Sequence, residues 1–252
     1  MSNTTAKPTF LLVQGSFQSP DVYHKLTRAL AEKGYPAVQP RLPSLTNPEE
    51  FDKGSKSLTD DALAIKAELE KLVEQQKLDV VVLMHSYGGL VGSEAVTQDL
   101  TRDWRVQQAK MGGVTHLFFF TAFILEEGQS VLDVFGESPN NDIKSNGRFR
   151  VKDAGRLLYG DLPVEEAQYW ESRIVDQSYA VQETKLSRAA YRYVPSTYLI
   201  CEEDQAVPAA YQKIFAQLAN ATTLKMKTGH SPMLSKPSEL ADVIIGALQG
   251  NS

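Results

Sequence analysis

The sequence contains a single cysteine, Cys201, among its 252 residues. One cysteine cannot form an internal disulfide, so the fold does not depend on an oxidising compartment. The lack of a CxxC pair or a Cys/His cluster also excludes the usual structural zinc sites. We therefore expect a protein that folds around an ordinary apolar core.

Long apolar runs, a targeting segment and an excess of positive charge are lacking as well. No apolar run approaches the ~20 residues of a membrane-spanning helix. Residues 1–8 have neither the basic start nor the apolar centre of a secretory signal. The net charge is −5, without a basic stripe, which argues against nucleic acid and anionic membranes as partners. These absences favour a cytoplasmic enzyme, for which we expect a small-molecule substrate as the partner.

Short apolar runs alternate with segments of helical periodicity. Such runs are typical of strands buried on both faces, and their alternation with helices predicts parallel βαβ units. We therefore expect a single α/β domain with a doubly wound, mostly parallel sheet. The strongest strand candidates are residues 9–13, 79–84, 114–121 and 196–201.

The alternation breaks between about residues 127 and 194. This stretch has no strong apolar run, but it has helical segments such as 164–174 and many scattered aromatic residues. We interpret it as a helical insertion that covers one edge of the sheet.

The apolar run 80–84 ends at His85-Ser86-Tyr87-Gly88-Gly89. A buried strand that turns sharply into a helix exposes a serine hydroxyl at the turn, as in the Gly-x-Ser-x-Gly nucleophile elbow. Met84 occupies the position of the first glycine. The pattern makes Ser86 the candidate nucleophile.

A serine nucleophile needs a base, which is usually histidine. Of the four histidines, His24 is expected on the surface of a helix and His116 inside a strand. His85 adjoins Ser86, but neighbouring side chains on a strand point to opposite faces. His230 lies in a Gly/Ser/Pro loop that should meet Ser86 at the carboxyl edge of the sheet. We predict that His230 is the base.

The base needs a carboxylate that orients its ring. Asp204 follows the strand that ends at Cys201 and leads into a turn, which makes it the preferred acid. Glu202 and Glu203 beside it fit a role as solvated surface charges. Glu126 and Glu127, after the preceding strand, remain weaker alternatives.

An oxyanion hole requires two N–H donors near the nucleophile. The residue after the nucleophile supplies one of them, here the backbone N–H of Tyr87. The loop after the first strand, residues 14–17, should supply the other, which we assign to the Ser16 N–H.

The order Ser86, Asp204, His230 is that of α/β-hydrolases. From Phe10 to about Leu248 the chain resembles small α/β-hydrolases of the methylesterase and hydroxynitrile-lyase type, particularly the short fungal and bacterial members. In that family a helical cap between the sixth and seventh strands roofs the pocket, and residues 127–194 correspond to it. The motifs that carry the resemblance are Leu12-Val13-Gln14-Gly15, His85-Ser86-Tyr87-Gly88-Gly89, Thr121-Ala122-Phe123, Gly128-Gln129-Ser130, residues 198–208 and Gly229-His230-Ser231-Pro232.

Two positions differ from the family pattern: Gln14 replaces a histidine, and Met84 replaces the first elbow glycine. Two others bear on the reaction. The hydroxynitrile lyases carry a lysine after the catalytic histidine and a threonine in the oxyanion loop, where this chain has Ser231 and Gly15. The resemblance therefore implies ester hydrolysis rather than cyanohydrin cleavage.

The predicted function is hydrolysis of a small to medium, apolar or aromatic carboxylic ester, lactone or thioester, with no metal or organic cofactor. Phe17, Phe123, Tyr159 and Trp170 are the candidate pocket residues. Two alternatives remain open: a C–C lyase or polyketide-type tailoring enzyme with the same triad, and a small-molecule receptor. The sequence is compatible with a homodimer.

Overall fold

A computed structural model describes residues 7–45 and 56–249. Its main feature is a six-stranded sheet with the strand order β2-β1-β3-β4-β8-β9, and every neighbouring pair is parallel. A second sheet of three antiparallel strands has the order β5-β6-β7. The strands are β1 (Thr9–Val13), β2 (Ala37–Val38), β3 (Asp79–His85), β4 (Gly113–Phe120), β5 (Asn141–Ile143), β6 (Arg148–Val151), β7 (Gln177–Ser178), β8 (Ser196–Cys201) and β9 (Thr222–Met226).

Helices connect the parallel strands, as the alternating sequence pattern predicts. The expected α/β, doubly wound, parallel architecture is confirmed. The helices are α1 (His24–Glu32), α2 (Leu58–Glu70), α3 (Gly88–Ala95), α4 (Arg102–Gln107), α5 (Val131–Phe135), α6 (Ala154–Tyr159), α7 (Val164–Glu171), α8 (Ala180–Glu183), α9 (Ala209–Leu218), α10 (Pro232–Ser235) and α11 (Pro237–Gln249).

The central strands owe their unbroken apolar sequences to burial on both faces. Every residue of β1 and β8 is buried, and so is all of β3 after Asp79. The side chains of Phe118, Phe119 and Phe120 in β4 are fully buried. A strand covered by helices on both sides has no solvent-facing positions, so it needs no polar alternation.

Local signals set the ends of several helices. Ser57 caps α2, because its side chain accepts from the Asp60 N–H while the Asp60 carboxylate accepts from the Ser57 N–H. This reciprocal arrangement satisfies N–H groups that have no partner inside the helix. After β1 the chain forms a 3₁₀ turn over Pro20–Tyr23, and α1 starts at His24.

The insertion lies between β4 and β8, which the family scheme counts as strands six and seven. It holds four short helices, α5 to α8, together with the three-stranded antiparallel sheet, which the sequence pattern does not indicate. The strands of that sheet have two to four residues each and include Asn, Asp, Arg, Gln and Ser. Strands this short and polar leave no apolar run in the sequence.

The fold brings the candidate residues to one edge of the main sheet. The chain leaves β1 for β2, returns to β3 and then continues outward through β4. The loops after β1 and β3 therefore flank the point where the winding reverses, which is where open α/β sheets bind ligands. No helix of the described part of the chain is long and apolar enough to cross a membrane.

Candidate active site

Ser86 sits at a sharp turn between β3 and α3. Its φ angle is +52°, in the left-handed region, which costs a non-glycine residue about 1–3 kcal/mol and is common where function requires it. The Ser86 carbonyl accepts from the N–H groups of Gly89 and Phe123, both at 3.0 Å. These hydrogen bonds fix the conformation of the turn, and the Ser86 side chain lies at the end of the sheet.

The glycines after Ser86 are required by close backbone contacts. A Cβ on Gly88 would lie 2.3 Å from the Val13 carbonyl oxygen, and one on Gly89 would lie 2.3 Å from the Phe123 carbonyl oxygen. Both contacts are with backbone, which cannot easily move. The helix α3 thus begins in close contact with the end of β1 and with the loop after β4.

His230 and Asp204 form a buried pair. His230 Nδ1 lies 2.9 Å from Asp204 Oδ2, and the two side chains are 2% and 0% exposed. Asp204 Oδ1 accepts from the N–H groups of Ala206 and Val207 at 2.8 and 3.0 Å, and Oδ2 also accepts from Gln212 Nε2 at 3.1 Å. These donors fix the carboxylate, which in turn fixes the imidazole ring and assigns its proton to Nδ1.

The alternative acids lie elsewhere. Glu126 and Glu127 approach Arg192 at 3.9 and 3.6 Å, and their side chains are 49% and 44% exposed. Glu203 lies 3.8 Å from Lys227 and is 49% exposed. The hydrogen bond to His230 is made by Asp204.

Ser86 and His230 line the same cavity, together with Ser16 and Tyr87. The Ser86 hydroxyl and the N–H groups of Ser16 and Tyr87 have no hydrogen-bond partner among the described residues. Serine–histidine contacts often form fully only with substrate bound. One hydroxyl and two amides are therefore available to a ligand.

The loop after β1 is held in place by its own side chains. Gln14 is buried, and its Nε2 donates to the Gln18 carbonyl at 2.8 Å. A Cβ on Gly15 would lie 2.8 Å from His85 Nδ1 and 2.9 Å from Ser86 Cβ. The threonine that hydroxynitrile lyases have here would therefore not fit without a shift of the nucleophile.

The cavity, of about 340 Å³, lies between the main sheet and the insertion. Phe17 and Phe123 line it as predicted, but Tyr159 and Trp170 do not. Tyr159 is buried beside Gln18. Trp170 packs near His24 with a ring-centroid distance of 6.4 Å.

Apolar residues other than Tyr159 and Trp170 form the cavity wall. The sequence shows these side chains but not which way they face, since most of them lie in the insertion, which has no regular periodicity. They are Leu90, Val131, Phe135, Phe149, Val151, Leu157, Leu158, Val207 and Phe215.

Tyr87 is connected to a buried carboxylate behind the turn. Its hydroxyl donates to Asp61 Oδ2 at 2.8 Å. Ser44 donates to the same carboxylate from its N–H at 2.8 Å and from its Oγ at 2.6 Å. Desolvation by burial raises the pKa of Asp61 to about 6, although these hydrogen bonds oppose the shift.

The alpha/beta hydrolase family model matches residues 10–243. The chain belongs to the alpha/beta hydrolase family. The elbow and the order of the candidate residues predicted this family, and the prediction is confirmed. The expectation that the protein is an enzyme of the α/β-hydrolase type is confirmed as well.

Relatives of similar length support this membership. The chain is 28% identical over 249 residues to the alpha/beta hydrolase nvfD of Aspergillus novofumigatus, covering 96% of each chain. It is 25% identical over 272 residues to methylesterase 1 of Arabidopsis thaliana, covering 97% of each. Among solved structures, polyneuridine aldehyde esterase superposes with a TM-score of 0.75 at 18% identity, covering 96% of this chain and 99% of the other. At that identity the last comparison shows the shared fold.

Proposed function

We propose that this alpha/beta hydrolase is a serine hydrolase that cleaves a small to medium, apolar or aromatic carboxylic ester, lactone or thioester. The observation that carries the proposal is the buried Asp204–His230 pair, whose histidine lines the same cavity as Ser86. A neutral histidine with its proton fixed on Nδ1 has a free Nε2 lone pair. That lone pair is the base that a serine hydroxyl needs.

In the proposed reaction, His230 Nε2 takes the proton from Ser86 Oγ as the oxygen attacks the carbonyl carbon. The imidazolium then protonates the leaving alcohol or thiol. Asp204 stabilises the imidazolium without accepting its proton. Water, deprotonated by the same histidine, hydrolyses the acyl-enzyme and returns Ser86 to its starting state.

The negative charge on the carbonyl oxygen is stabilised by the N–H groups of Ser16 and Tyr87. Both amides lack a partner among the described residues, so they would bind the oxyanion without first breaking another bond. Such a donor contributes about 10²–10³ to the rate.

The substrate class follows from the cavity wall. Its volume of about 340 Å³ is near the lower end of the range for small-molecule sites. Its described lining contains no Lys or Arg, and Glu137 is the one acidic side chain. A substrate with a free carboxylate would lose its hydration there without gaining a cation, which costs binding energy.

A matched pair of esters tests both the reaction and the selectivity. Steady-state rates would be measured for aryl methyl esters and p-nitrophenyl esters, each with a counterpart that carries a free carboxylate at the far end of the acyl chain. We expect turnover of the neutral esters, preference for them over the charged counterparts by at least about tenfold in kcat/KM, and no turnover by Ser86→Ala.

Two results would count against the proposal. If Ser86→Ala keeps the wild-type rate, the serine is not the nucleophile. If the charged esters are the better substrates, the apolar substrate class is wrong. A cytoplasmic location and a homodimer remain predictions.

A further inference from the structure

The strand before the nucleophile ends in a second buried histidine that the proposed reaction does not use. His85 is fully buried. Its Nδ1 lies 2.7 Å from the hydroxyl of Tyr23, and its Nε2 lies 2.9 Å from the backbone carbonyl oxygen of His230. Its ring stacks on Phe120 at 4.9 Å and lies 4.9 Å from the ring of His230. It therefore contacts the loop that carries the proposed base.

The proton positions in this cluster follow from its partners. A carbonyl oxygen only accepts, so the hydrogen bond to His230 requires a proton on His85 Nε2. In a neutral ring Nδ1 is then an acceptor, and Tyr23 must donate its one proton to it. Gln18 Oε1 is placed 2.8 Å from the same hydroxyl. Because Tyr23 has no second proton to give, the amide must be turned so that its NH₂ group donates to Tyr23.

Burial and the nearby His230 lower the pKa of His85 well below its ordinary value. The ring is therefore neutral at physiological pH. The neutral state of His85 is important, because His230 carries a positive charge during the proposed reaction. A second imidazolium at this distance would oppose that charge.

Tyr23 also holds the other side of the site. Its hydroxyl oxygen accepts from the Gly15 N–H at 2.8 Å. Gly15 precedes Ser16, whose N–H is the proposed oxyanion donor. Thr121 adds a weaker bond to the His230 carbonyl, at 3.4 Å. One chain of hydrogen bonds thus runs from the oxyanion loop through Tyr23 and His85 to the base loop.

We propose that Tyr23 and His85 are positioning residues. Their hydrogen bonds fix the Gly15–Ser16 loop and the His230 loop in position relative to each other and to Ser86. The inference rests on the proposed function for its effect on catalysis. Neither side chain lines the cavity, so both act through the backbone of the two loops that carry Ser16 and His230. His230 is then fixed twice, at its ring by Asp204 and at its carbonyl by His85.

Tyr23→Phe tests the pair with the smallest change, because it removes one hydroxyl and keeps the ring. It leaves Gly15 N–H and His85 Nδ1 without their partner. We expect kcat for a neutral ester to fall by about 10- to 100-fold, with KM within about threefold because the cavity wall is intact. Tyr191→Phe is the matched control, since its buried hydroxyl donates to the Leu125 carbonyl at 2.9 Å away from these loops. It should keep the wild-type kcat.

Two variants of His85 separate positioning from folding. His85→Gln retains an N–H donor near the position of Nε2, whereas His85→Leu removes it. If the donor matters, the glutamine variant should keep several times more activity than the leucine variant at similar thermal stability. Equal activity in the two variants, or a wild-type kcat in Tyr23→Phe, would overturn the proposal.

Nitrogen-15 NMR of histidine-labelled protein tests the proton assignment without any turnover. His85, identified by the loss of its signal in His85→Gln, should carry its proton on Nε2 and stay neutral at about pH 6.5, where an ordinary histidine is half protonated. A proton on Nδ1 would overturn the proposal. If the wild type cleaved no ester and Ser86 took no acylating probe, the proposed function would fall, and the NMR result would still decide on the pair.

Discussion

Met84 and Gly92 fit against each other across the elbow. A Cβ on Gly92 would lie 2.3 Å from Met84 Sδ and 2.8 Å from its Cγ. The methionine that replaces the first elbow glycine therefore occupies space that a glycine one turn into α3 leaves open. The departure from the family motif is accommodated by packing, and Met84 is fully buried.

This contact predicts a coupled pair of substitutions. Gly92→Ala should destabilise the protein by about 1–3 kcal/mol, because the thioether has to move within a packed core. Met84→Ala removes the obstacle, so the double variant should lose less than the sum of the single losses. Urea unfolding of all four proteins measures the coupling.

Gly246→Ala is the matched control for that experiment. It lies in α11, where an added Cβ meets nothing within 4 Å. It should be neutral or stabilising by up to about 1 kcal/mol, the helix preference of alanine over glycine. Additive losses at positions 84 and 92 would contradict the account of the elbow.

The hydrogen bond between Asp204 and His230 predicts that a small change in the Asp204 side chain will greatly lower kcat. Asp204→Asn keeps the shape of the side chain but loses the charge that stabilises the imidazolium and the acceptor that fixes its tautomer. We expect kcat to fall by about 10³–10⁴-fold, as a triad of this kind requires. Glu203→Gln, at a carboxylate paired with Lys227 on the surface, should stay within about twofold.

Rates from single-turnover acylation would separate this effect from slow product release. A loss of less than tenfold in Asp204→Asn would mean that His230 does not rely on Asp204. The role of the acid would then have to be reassigned.

Asp61 predicts how stability depends on pH. Its pKa is raised from 3.8 to about 6 in the folded protein, mainly by desolvation. Between these values the folded protein keeps a proton that the unfolded chain has released. The contribution of Asp61 to the free energy of unfolding therefore falls by about 3 kcal/mol as the pH rises from about 4 to about 6.

Comparison with Asp61→Asn isolates this contribution, because all other titrating groups are shared. The free energy of unfolding of wild type minus that of the variant should decrease across this pH range and then level off. A difference that stays constant, or that grows with pH, would contradict the assignment.

Some parts of the fold and the site can be predicted from the sequence. They are the parts that depend on the order of residues along the chain and on the local pattern of apolar residues. Ser86 and Asp204 follow the buried strands β3 and β8, and His230 follows the edge strand β9. Parallel strands bring their carboxyl ends to one edge of the sheet. The apolar runs of β1, β3, β4 and β8 are recognisable for the same reason, since they are buried on both faces.

Features that depend on contacts distant in sequence could not be predicted in this way. Tyr159 and Trp170 were expected in the cavity, but the insertion turns them elsewhere. Tyr23 meets His85 over 62 positions of sequence. No local pattern encodes that hydrogen bond, because it depends on how a helix start packs against the neighbouring strand.

In the proposed reaction, Ser86 is a nucleophile that His230 activates. The most direct test is labelling with a fluorophosphonate, followed by intact mass and peptide mapping of wild type, Ser86→Ala and His230→Ala. We expect one adduct, on Ser86, in the wild type, none in Ser86→Ala, and labelling in His230→Ala that is slower by at least about 100-fold. A folded wild-type protein that takes no label at Ser86, or a His230→Ala variant that labels at the wild-type rate, would contradict the account.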